Sequence, residues 1–563
     1  MERDQKAKVG GPMSQDNNEE KNYANERWEN GLSLRKRKIN AILSKQRGFY
    51  KPQNDGDKDY QIIKEKLNIP IEIKNKKYED IDQFLKEMKA NINCKDIEYN
   101  KYALYCIRTQ TLNNETSNNK NVLSELLLKQ DFISDILTLI QKNIDNNQII
   151  YEGLWILINI LFYQTDNTDL IIFLSNQQCI QLYIKILDKK DNCLRLNIYW
   201  LLSNLLNNDN FGIIIQVLFK LYMSPLFRLY IFRDLEDNNS KLKVSELKYL
   251  MSILSRLSDF INETFIRLNN KNIKMYTDYN SNINYDSILE NNNYLFYHSL
   301  KLFINYIEIS ELTSYCVYGL SKLTNYLGDL KAYNEFFVTG ICRKLVKEQI
   351  KVEEELINYV VQIIGNYLFY STDSLIDPIF LEETLAYFVK LIKTYPNRQY
   401  LKRDIFWSAS NIIAGKKEFC ELFAKSGLLE YTLQTIVSDN DLVINEALFV
   451  LSGFFDQQNI DTIINFYDLD YMKYLVSCLK NIRSRANPGT VYNNMDVVEK
   501  VLTCIGFLFE DGNILAVQGL NKFVQDFEKN GGFELLEMML SESKMSKEVA
   551  QIAEALLTMQ KNN

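Results

Sequence analysis

Pairs of tryptophan and asparagine, four residues apart, are the side chains in this sequence whose types and spacing could bind a ligand. They are Trp155 with Asn159, Trp200 with Asn204, and Trp407 with Asn411. Residues four apart lie on one face of a helix, one turn from each other. An aliphatic Lys or Arg stem fits between two indoles, and an Asn amide offers a donor and an acceptor to a peptide backbone. If these helices line the concave side of a repeat array, they would bind an extended, lysine-rich peptide.

The pairs recur at a fixed interval: 45 residues separate Asn159 from Asn204, and 45 separate Asn366 from Asn411. From Tyr78 onward, apolar residues follow three- and four-residue spacing, and the chain has only seven prolines to interrupt helices. Helical repeats with a period in the forties are typical of armadillo or HEAT arrays. We therefore predict an all-α fold, a right-handed armadillo-repeat superhelix of about ten repeats.

The repeats also allow a plainer interpretation. A single helical Trp is more often a core residue than a ligand contact. Weaker copies of the pattern, Tyr318 with Lys322 and Phe449 with Gly453, occur elsewhere in the chain. Because the pairs recur at the repeat interval, we favour the binding surface over the core interpretation.

A basic segment precedes the repeats. Residues 27–51 hold eight basic residues and one acidic residue, a formal charge of +7, which leaves −14 for the remainder of a chain whose total is −7. Ile39, Ile42 and Leu43 fall on one helical face of this segment. Such an arm can bind its own acidic body or an acidic partner. A remainder at −14 is a poor nucleic-acid binder, because phosphate contacts need positive surface.

Other function classes have little support in the sequence. The one histidine, His298, lies in an apolar run, and no phosphate-binding, dinucleotide, serine-hydrolase or zinc-protease motif is present. The nine cysteines are scattered, as expected for reduced thiols. The polar N-terminal stretch is unlike a secretory signal, and no apolar run could cross a bilayer. We expect no enzyme activity, no metal, no cofactor and no membrane insertion.

The composition divides the chain into four regions. Residues 1–26 are polar and predicted to be disordered, residues 27–51 form the basic segment, residues 52–77 are a linker, and residues 78–560 are the repeat solenoid. The Asn-rich residues 268–293 interrupt the repeat register, so we predict an inserted surface loop there. Other Asn-rich breaks are predicted to be turns between helices.

Four stretches together resemble one known family. They are "LRKRKINAILSKQRG" from Leu34, "YEGLWILINI", "RDIFWSASNIIAGKKEF", and the tail with Gly531 and Gly532. The first is similar to a pattern LRKxKRxxxLxKRRN, the second to FEAAWALTNI and the third to KEACWTISNITAG. In this ordered combination the chain resembles importin α, the armadillo adaptors that bind nuclear localisation signals. The resemblance implies partners: importin β, cargo with basic signals and an export receptor. It implies shuttling between cytoplasm and nucleus through nuclear pores.

The resemblance also implies roles for individual residues. A major cargo groove would contain Trp155, Asn159, Thr168, Trp200 and Asn204. A minor cargo groove would contain Asn366, Trp407, Asn411, Glu446 and Phe449. Importin β would bind Arg27, Leu34, Arg35, Lys36, Lys38, Leu43, Lys45 and Arg47. In the family a basic cluster of this arm also occupies the protein's own groove; here that cluster is Lys45-Gln46-Arg47, with one basic residue fewer.

Several positions depart from the family pattern: Tyr163, Asn208, Ser252, Arg256, Lys322 and Gly453. Arg256 and Lys322 would place positive charge where the family presents a neutral lining, and that charge would repel a basic cargo. Two functions therefore remain open. The first is an import adaptor, and the second is an armadillo scaffold that retains importin β binding and serves one dedicated partner or a structural role.

Overall fold

The structure is a computed structural model of the 563-residue chain. It describes residues 80–113, 122–164, 167–189, 191–206, 244–269, 285–326, 339–371, 376–455, 460–484, 495–516, 521–541 and 546–561, with the isolated residues 217, 221, 334, 336 and 337. These residues form 24 α-helices and no strand. The all-α prediction is confirmed.

The described part of the chain divides into two compact units, and the division falls between Gly319 and Leu320. The helices of the N-terminal unit are α1 Ile81–Ile92, α2 Ile97–Asn113, α3 Val122–Lys129, α4 Phe132–Lys142, α5 Asn147–Tyr163, α6 Thr168–Leu174, α7 Gln177–Leu187, α8 Asn192–Leu205, α9 Val244–Asn269 and α10 Tyr285–Tyr306. Helix α11, Thr313–Leu323, contains the division point.

The C-terminal unit continues with thirteen further helices among the described residues. They are α12 Ile341–Val346, α13 Ile357–Tyr370, α14 Pro378–Thr394, α15 Gln399–Ile413, α16 Lys417–Lys425, α17 Leu428–Ser438, α18 Asp441–Phe454, α19 Ile460–Asn465, α20 Tyr471–Ser484, α21 Met495–Leu515, α22 Lys522–Lys529, α23 Gly532–Ser541 and α24 Lys547–Lys561.

One long helix from each repeat packs on the corresponding helix of the next repeat, and we call these the ladder helices. In the N-terminal unit α2 packs on α5, α5 on α8, and α8 on α9; in the C-terminal unit α13, α15, α18, α21 and α24 pack in the same sequential way. Shorter helices between them complete each repeat. Ladder helices bury apolar residues on most of their circumference, as Ile149 to Leu161 of α5 do, because neighbours cover them on several sides.

Asparagine and aspartate side chains begin many of these helices. Asn146, Asn167, Asn176, Asp191 and Asn440 each accept a hydrogen bond from the backbone N–H three residues later. Such caps satisfy N–H groups that have no partner inside the helix. The prediction that Asn-rich breaks are turns between helices is therefore confirmed at these positions.

A left-handed residue recurs just before five of the shorter helices. Asp131, Gly340, Gly427, Asp470 and Gly531 have φ of 57°, 63°, 82°, 54° and 75°. Glycine adopts this conformation at little cost, whereas a Cβ makes it unfavourable. The repeat therefore favours glycine here, and Asp131 and Asp470 are the exceptions among the described residues.

The prediction of a loop at residues 268–293 is wrong at both ends of that range. Helix α9 extends to Asn269 and α10 begins at Tyr285, so residues 285–293 are helical; residues 270–284 lie outside the described residues. The later half of α10 buries Phe296, Leu300 and Phe303. Burial of that half supports a helix that extends back through "ENNN", because helix extension adds a hydrogen bond for each residue.

In the described ranges, no single helix has both the length and the apolar composition of a membrane span. The bent pair α6 and α7 meets those criteria only together, by length and composition. Residues 1–79, which include the predicted disordered region, basic segment and linker, lie outside the described residues.

Candidate functional site

The N-terminal Trp–Asn pairs lie on two adjacent ladder helices. Trp155 and Asn159 are on α5, and Trp200 and Asn204 are on α8. Both amides donate to the preceding ladder helix: Asn159 Nδ2 to Thr111 Oγ1 at 3.0 Å, and Asn204 Nδ2 to the Ile158 carbonyl at 3.4 Å. Each amide therefore ties its helix to the one before it, a structural role that the sequence had not indicated.

The slot predicted between Trp155 and Trp200 is closed. Their ring centroids are 4.9 Å apart, in an edge-to-face arrangement with an interplanar angle of 76°. A methylene stem needs about 3.5–4 Å to each ring, so two rings that clasp it must be separated by roughly 7–8 Å. Trp155 is only 8% exposed, and its indole N–H has no hydrogen-bond partner among the described residues. The structure brings the two indoles together without leaving space for a stem between them.

Trp200 has a second ring contact, with Tyr249 of α9. The two rings are stacked, with centroids 5.3 Å apart and planes inclined by 22°. The repeat pattern places Ser252, not Tyr249, at the Trp position of this helix. Ser252 is buried, and the Ser203 hydroxyl donates to its Oγ at 3.1 Å. A tyrosine one turn before the vacant Trp position was the signal that could have identified this contact.

The charge expected at Arg256 is buried and paired. Arg256 is 1% exposed, and its Nη1 lies 3.6 Å from Oδ2 of Asp259 one turn later. Tyr318, at the Trp position of α11, donates its hydroxyl hydrogen to the same carboxylate, 2.7 Å from Oδ1 and 2.8 Å from Oδ2. The expectation that Arg256 repels cargo is wrong in this structure, because Asp259 offsets its charge.

Lys322 is also withdrawn from the surface. It is 9% exposed, and its Nζ lies 5.7 Å from the centroid of the Tyr359 ring. A cation over an aromatic face is attracted by the ring quadrupole. The Tyr359 ring stabilises the position of this ammonium group without neutralising its charge, so the repulsion of a basic cargo by Lys322 stays a prediction.

The remaining residues of the predicted major groove lie at helix ends. Thr168 is half-buried at the start of α6, where Asn167 provides the cap. Tyr163 ends α5, and its ring meets that of Phe162 edge to face at 5.1 Å. Asn208 lies outside the described residues.

The C-terminal set has a different geometry. Trp407 and Asn411 are on α15, and Asn411 Nδ2 donates to the Gly365 carbonyl of α13 at 3.3 Å. Gly365 is essential to this arrangement, since a Cβ there would overlap the six-membered ring of Trp407 and Oγ of Ser408. Asn366 uses its amide within the fold, donating to Thr324 Oγ1 at 3.0 Å and Asn325 Oδ1 at 2.8 Å.

Trp407 and Phe449, the corresponding aromatic residues of α15 and α18, do not pack on each other among the described ring contacts, and in this sense we call the slot between them open. Trp407 is half-buried and Phe449 on α18 is 41% exposed. Within the described ranges neither ring contacts another aromatic ring, and Oδ1 of Asn411 has no hydrogen-bond partner. The arrangement therefore presents two rings that are not packed on each other and a carbonyl acceptor, groups that can bind a stem and a peptide N–H.

The electrostatics around this slot are mixed. Burial raises the pKa of Glu446 above its usual value of 4.5, while Arg403 and Lys500 lower it and Asp404 raises it. Arg403 Nε donates to Asp404 Oδ1 at 2.9 Å, and Lys500 Nζ donates to Asn445 Oδ1 at 2.6 Å. Glu446 therefore lies among basic groups that already have other acceptors, and it could accept an additional ammonium or guanidinium group.

Comparison with known proteins addresses the fold. No protein-family model and no curated protein matches the sequence. An engineered protein of known crystal structure matches 85% of this chain and 98% of its own, at 14% identity and a TM-score of 0.57. A structure described as "A conserved phosphorylation switch controls the interaction between cadherin and beta-catenin in vitro and in vivo" matches 85% of this chain and 94% of its own, at 10% identity and a TM-score of 0.53.

The fold is an armadillo-like repeat solenoid.

A shorter designed armadillo-repeat protein, in complex with the peptide (KR)4, matches 46% of this chain at 20% identity. Its TM-score of 0.36 is too low to carry an inference about ligands. The armadillo-like fold confirms the predicted class, and it does not by itself assign the importin α family.

In the described part of the armadillo-like chain, no group of three or more His, Cys, Asp or Glu side chains could hold a metal. His298 is half-buried in α10. The importin-β-binding residues from Arg27 to Arg47 lie outside the described residues, so their role stays a prediction.

Proposed function

We propose that this armadillo-like protein is a nuclear import adaptor that binds basic localisation signals and, through residues 27–51, importin β. The observation that supports cargo binding is the open Trp407–Phe449 slot. Beside it are the Asn411 side-chain carbonyl, which has no hydrogen-bond partner among the described residues, and the Glu446 carboxylate, which precedes Phe449 by one turn of α18. The adaptor would shuttle between cytoplasm and nucleus and return with an export receptor. The arm, its partners and this localisation come from the sequence resemblance.

The slot can bind a basic side chain in three ways. The stem of a Lys or Arg packs between the rings of Trp407 and Phe449, where it loses apolar surface to water. The charged head is attracted to the indole face and to Glu446. Asn411 Oδ1 accepts a backbone N–H of the peptide, which favours an extended conformation.

Glu446 connects this binding to protonation. Burial raises the pKa of its carboxyl, which opposes the charged form in the unbound protein. A cargo cation beside it would favour the carboxylate and lower that pKa. Binding should therefore be stronger when Glu446 is ionised and weaker as the pH falls toward 4.5.

A second function is favoured by the N-terminal unit. The rings of Trp155 and Tyr249, which pack on Trp200, and the buried Arg256–Asp259–Tyr318 cluster leave little of the predicted major groove for a ligand. These features suit an armadillo scaffold that keeps importin β binding and serves one dedicated partner. A panel of unrelated basic signals distinguishes the two functions, because an adaptor binds many of them and a scaffold of this kind binds none.

Binding of importin β tests the arm directly. In the full chain, Arg35→Glu with Lys38→Glu reverses two charges in the segment, and Lys6→Glu with Lys8→Glu makes the same charge change outside it. We expect the first variant to lose roughly 100-fold or more in affinity at physiological salt, and the second to bind like wild type. Equal affinity of wild type and the two variants for importin β would rule out the proposed adaptor function.

A further inference from the structure

We propose that Tyr249 occupies the side-chain slot beside Trp200 and thereby limits binding of basic peptides to the N-terminal unit. The inference rests on the proposed function, since it concerns the same class of ligand. It assigns Tyr249 a role in specificity that its position outside the Trp–Asn pattern had not suggested. In this arrangement Trp200 contacts the ring of Tyr249 and not the aliphatic stem of a cargo side chain.

Trp200 contacts one ring from each of the two neighbouring ladder helices. The ring centroid of Trp155 lies 4.9 Å from that of Trp200 in an edge-to-face arrangement, and the centroid of Tyr249 lies 5.3 Å away with the planes inclined by 22°. The stacked tyrosine covers the indole face that would otherwise receive an aliphatic stem. Trp200 itself remains half-buried, so the pair lies at the protein surface where a ligand can compete.

The local sequence explains why a tyrosine can reach this place. Ser252 is small and lies buried between α8 and α9, where Ser203 hydrogen-bonds to it. A Trp at that position would hold the helices apart or project into the slot. Tyr249, one turn before Ser252, instead stacks back onto Trp200.

A peptide can use this slot only in molecules in which Tyr249 has moved away from Trp200. Its apparent affinity is therefore its intrinsic affinity multiplied by the fraction of molecules in which the slot is open. A stacked aromatic pair stabilises the closed arrangement by roughly two- to tenfold. Removing the ring of Tyr249 should therefore tighten binding by about that factor, whereas removing an ordinary ligand-contacting tyrosine would weaken it.

The test measures affinity for a labelled (Lys-Arg)4 peptide in the full chain carrying Trp407→Ala, so that the C-terminal slot does not contribute. We expect Tyr249→Ser to bind two- to tenfold tighter than its Trp407→Ala parent. Tyr249→Phe, which keeps the ring, and Tyr151→Ser, whose ring meets Trp155 at 6.3 Å and not Trp200, should bind like the parent. Adding Trp200→Ala to Tyr249→Ser should abolish the gain.

The inference would be overturned if Tyr249→Ser, with its helical circular dichroism intact, bound the peptide no more tightly than its parent. It would also be overturned if none of these variants bound the peptide. Wild-type chain with Trp407 intact reports on the proposed function separately. Binding by wild type without a gain from Tyr249→Ser would reject only the role of Tyr249. A gain from Tyr249→Ser without wild-type binding would reject only the C-terminal cargo site.

Discussion

The indole of Trp407 packs directly against the backbone of Gly365 on the preceding ladder helix, so closely that a Cβ at Gly365 would overlap the ring. Asn411, one turn after Trp407, donates to the carbonyl of the same glycine. Glycine at this position therefore sets the orientation of the ring that forms one wall of the open slot.

Gly365→Ala should displace Trp407 and cost about 1–3 kcal/mol of stability, because the added methyl group overpacks the helix contact. The affinity for a basic peptide should fall as Trp407 is displaced. Hydrogen–deuterium exchange of the α13 and α15 amides measures the local loss of stability.

Gly506→Ala on ladder helix α21 is the matched control. Its Cβ would meet only Leu556 Cδ2 at 3.9 Å, an ordinary contact. Alanine should therefore stabilise α21 by about 0.5–1 kcal/mol. Equal effects of the two substitutions would contradict the packing of Trp407 on Gly365.

Tyr318→Phe should destabilise the N-terminal unit by about 1.5–3 kcal/mol, since it removes a hydrogen bond to a buried carboxylate. Asp259→Leu should cost more, about 3–5 kcal/mol, because it leaves the buried Arg256 charge without this partner. Denaturant unfolding of the single and double variants measures both. Additive losses would contradict the shared network, as residues in one network couple.

Glu446→Gln should stabilise the protein at pH 7. The raised pKa of Glu446 means that its charged form is penalised in the folded state, so its contribution to stability falls as the pH rises from 4.5 through the folded pKa. The advantage of the variant should shrink as the pH drops below 4.5, where the carboxyl is neutral in both states. Unfolding across a pH series checks this, with Glu430→Gln on an exposed face of α17 as control. An advantage of Gln that does not change with pH would contradict the assignment.

Gly427→Ala should destabilise the C-terminal unit by about 1 kcal/mol through its backbone alone, because φ is +82° and no atom of the described residues lies within 4 Å of an added Cβ. Asp131→Gly, at the corresponding left-handed position, should stabilise the N-terminal unit by roughly 0.5 kcal/mol. Asp131 makes no side-chain cap hydrogen bond that the change would remove. Thermal unfolding measures the stability of both variants. A lower stability of Asp131→Gly than of wild type would show that aspartate has another role at this position.

The fold could be predicted from the sequence because the repeat interval, the apolar spacing and the Asn-rich turns all depend on neighbours close in the chain. The helical residues 285–293 were missed, since "ENNN" has weak helix propensity and burial further along α10 outweighs it.

The site was predictable only in part. The Trp and Asn residues lie on ladder helices as expected, but whether a slot is open depends on distances between repeats. Tyr249 closes one slot because Ser252 lets α9 approach α8. The charge of Arg256 is offset by Asp259, three residues later in the sequence, and Tyr318 binds the same carboxylate from 59 residues beyond Asp259. A comparison that takes one position at a time does not detect such a cluster.

The most direct test of the account is the affinity of the full chain for a labelled lysine-rich signal peptide, compared with Trp407→Ala. Phe369→Ala, which removes an exposed aromatic ring of α13 outside the Trp positions, is the control. We expect wild type and Phe369→Ala to bind equally and Trp407→Ala to bind about 10- to 100-fold more weakly, because it loses one wall of the open slot. Equal binding by all three proteins, or no binding by wild type, would contradict a cargo site at Trp407 and Phe449.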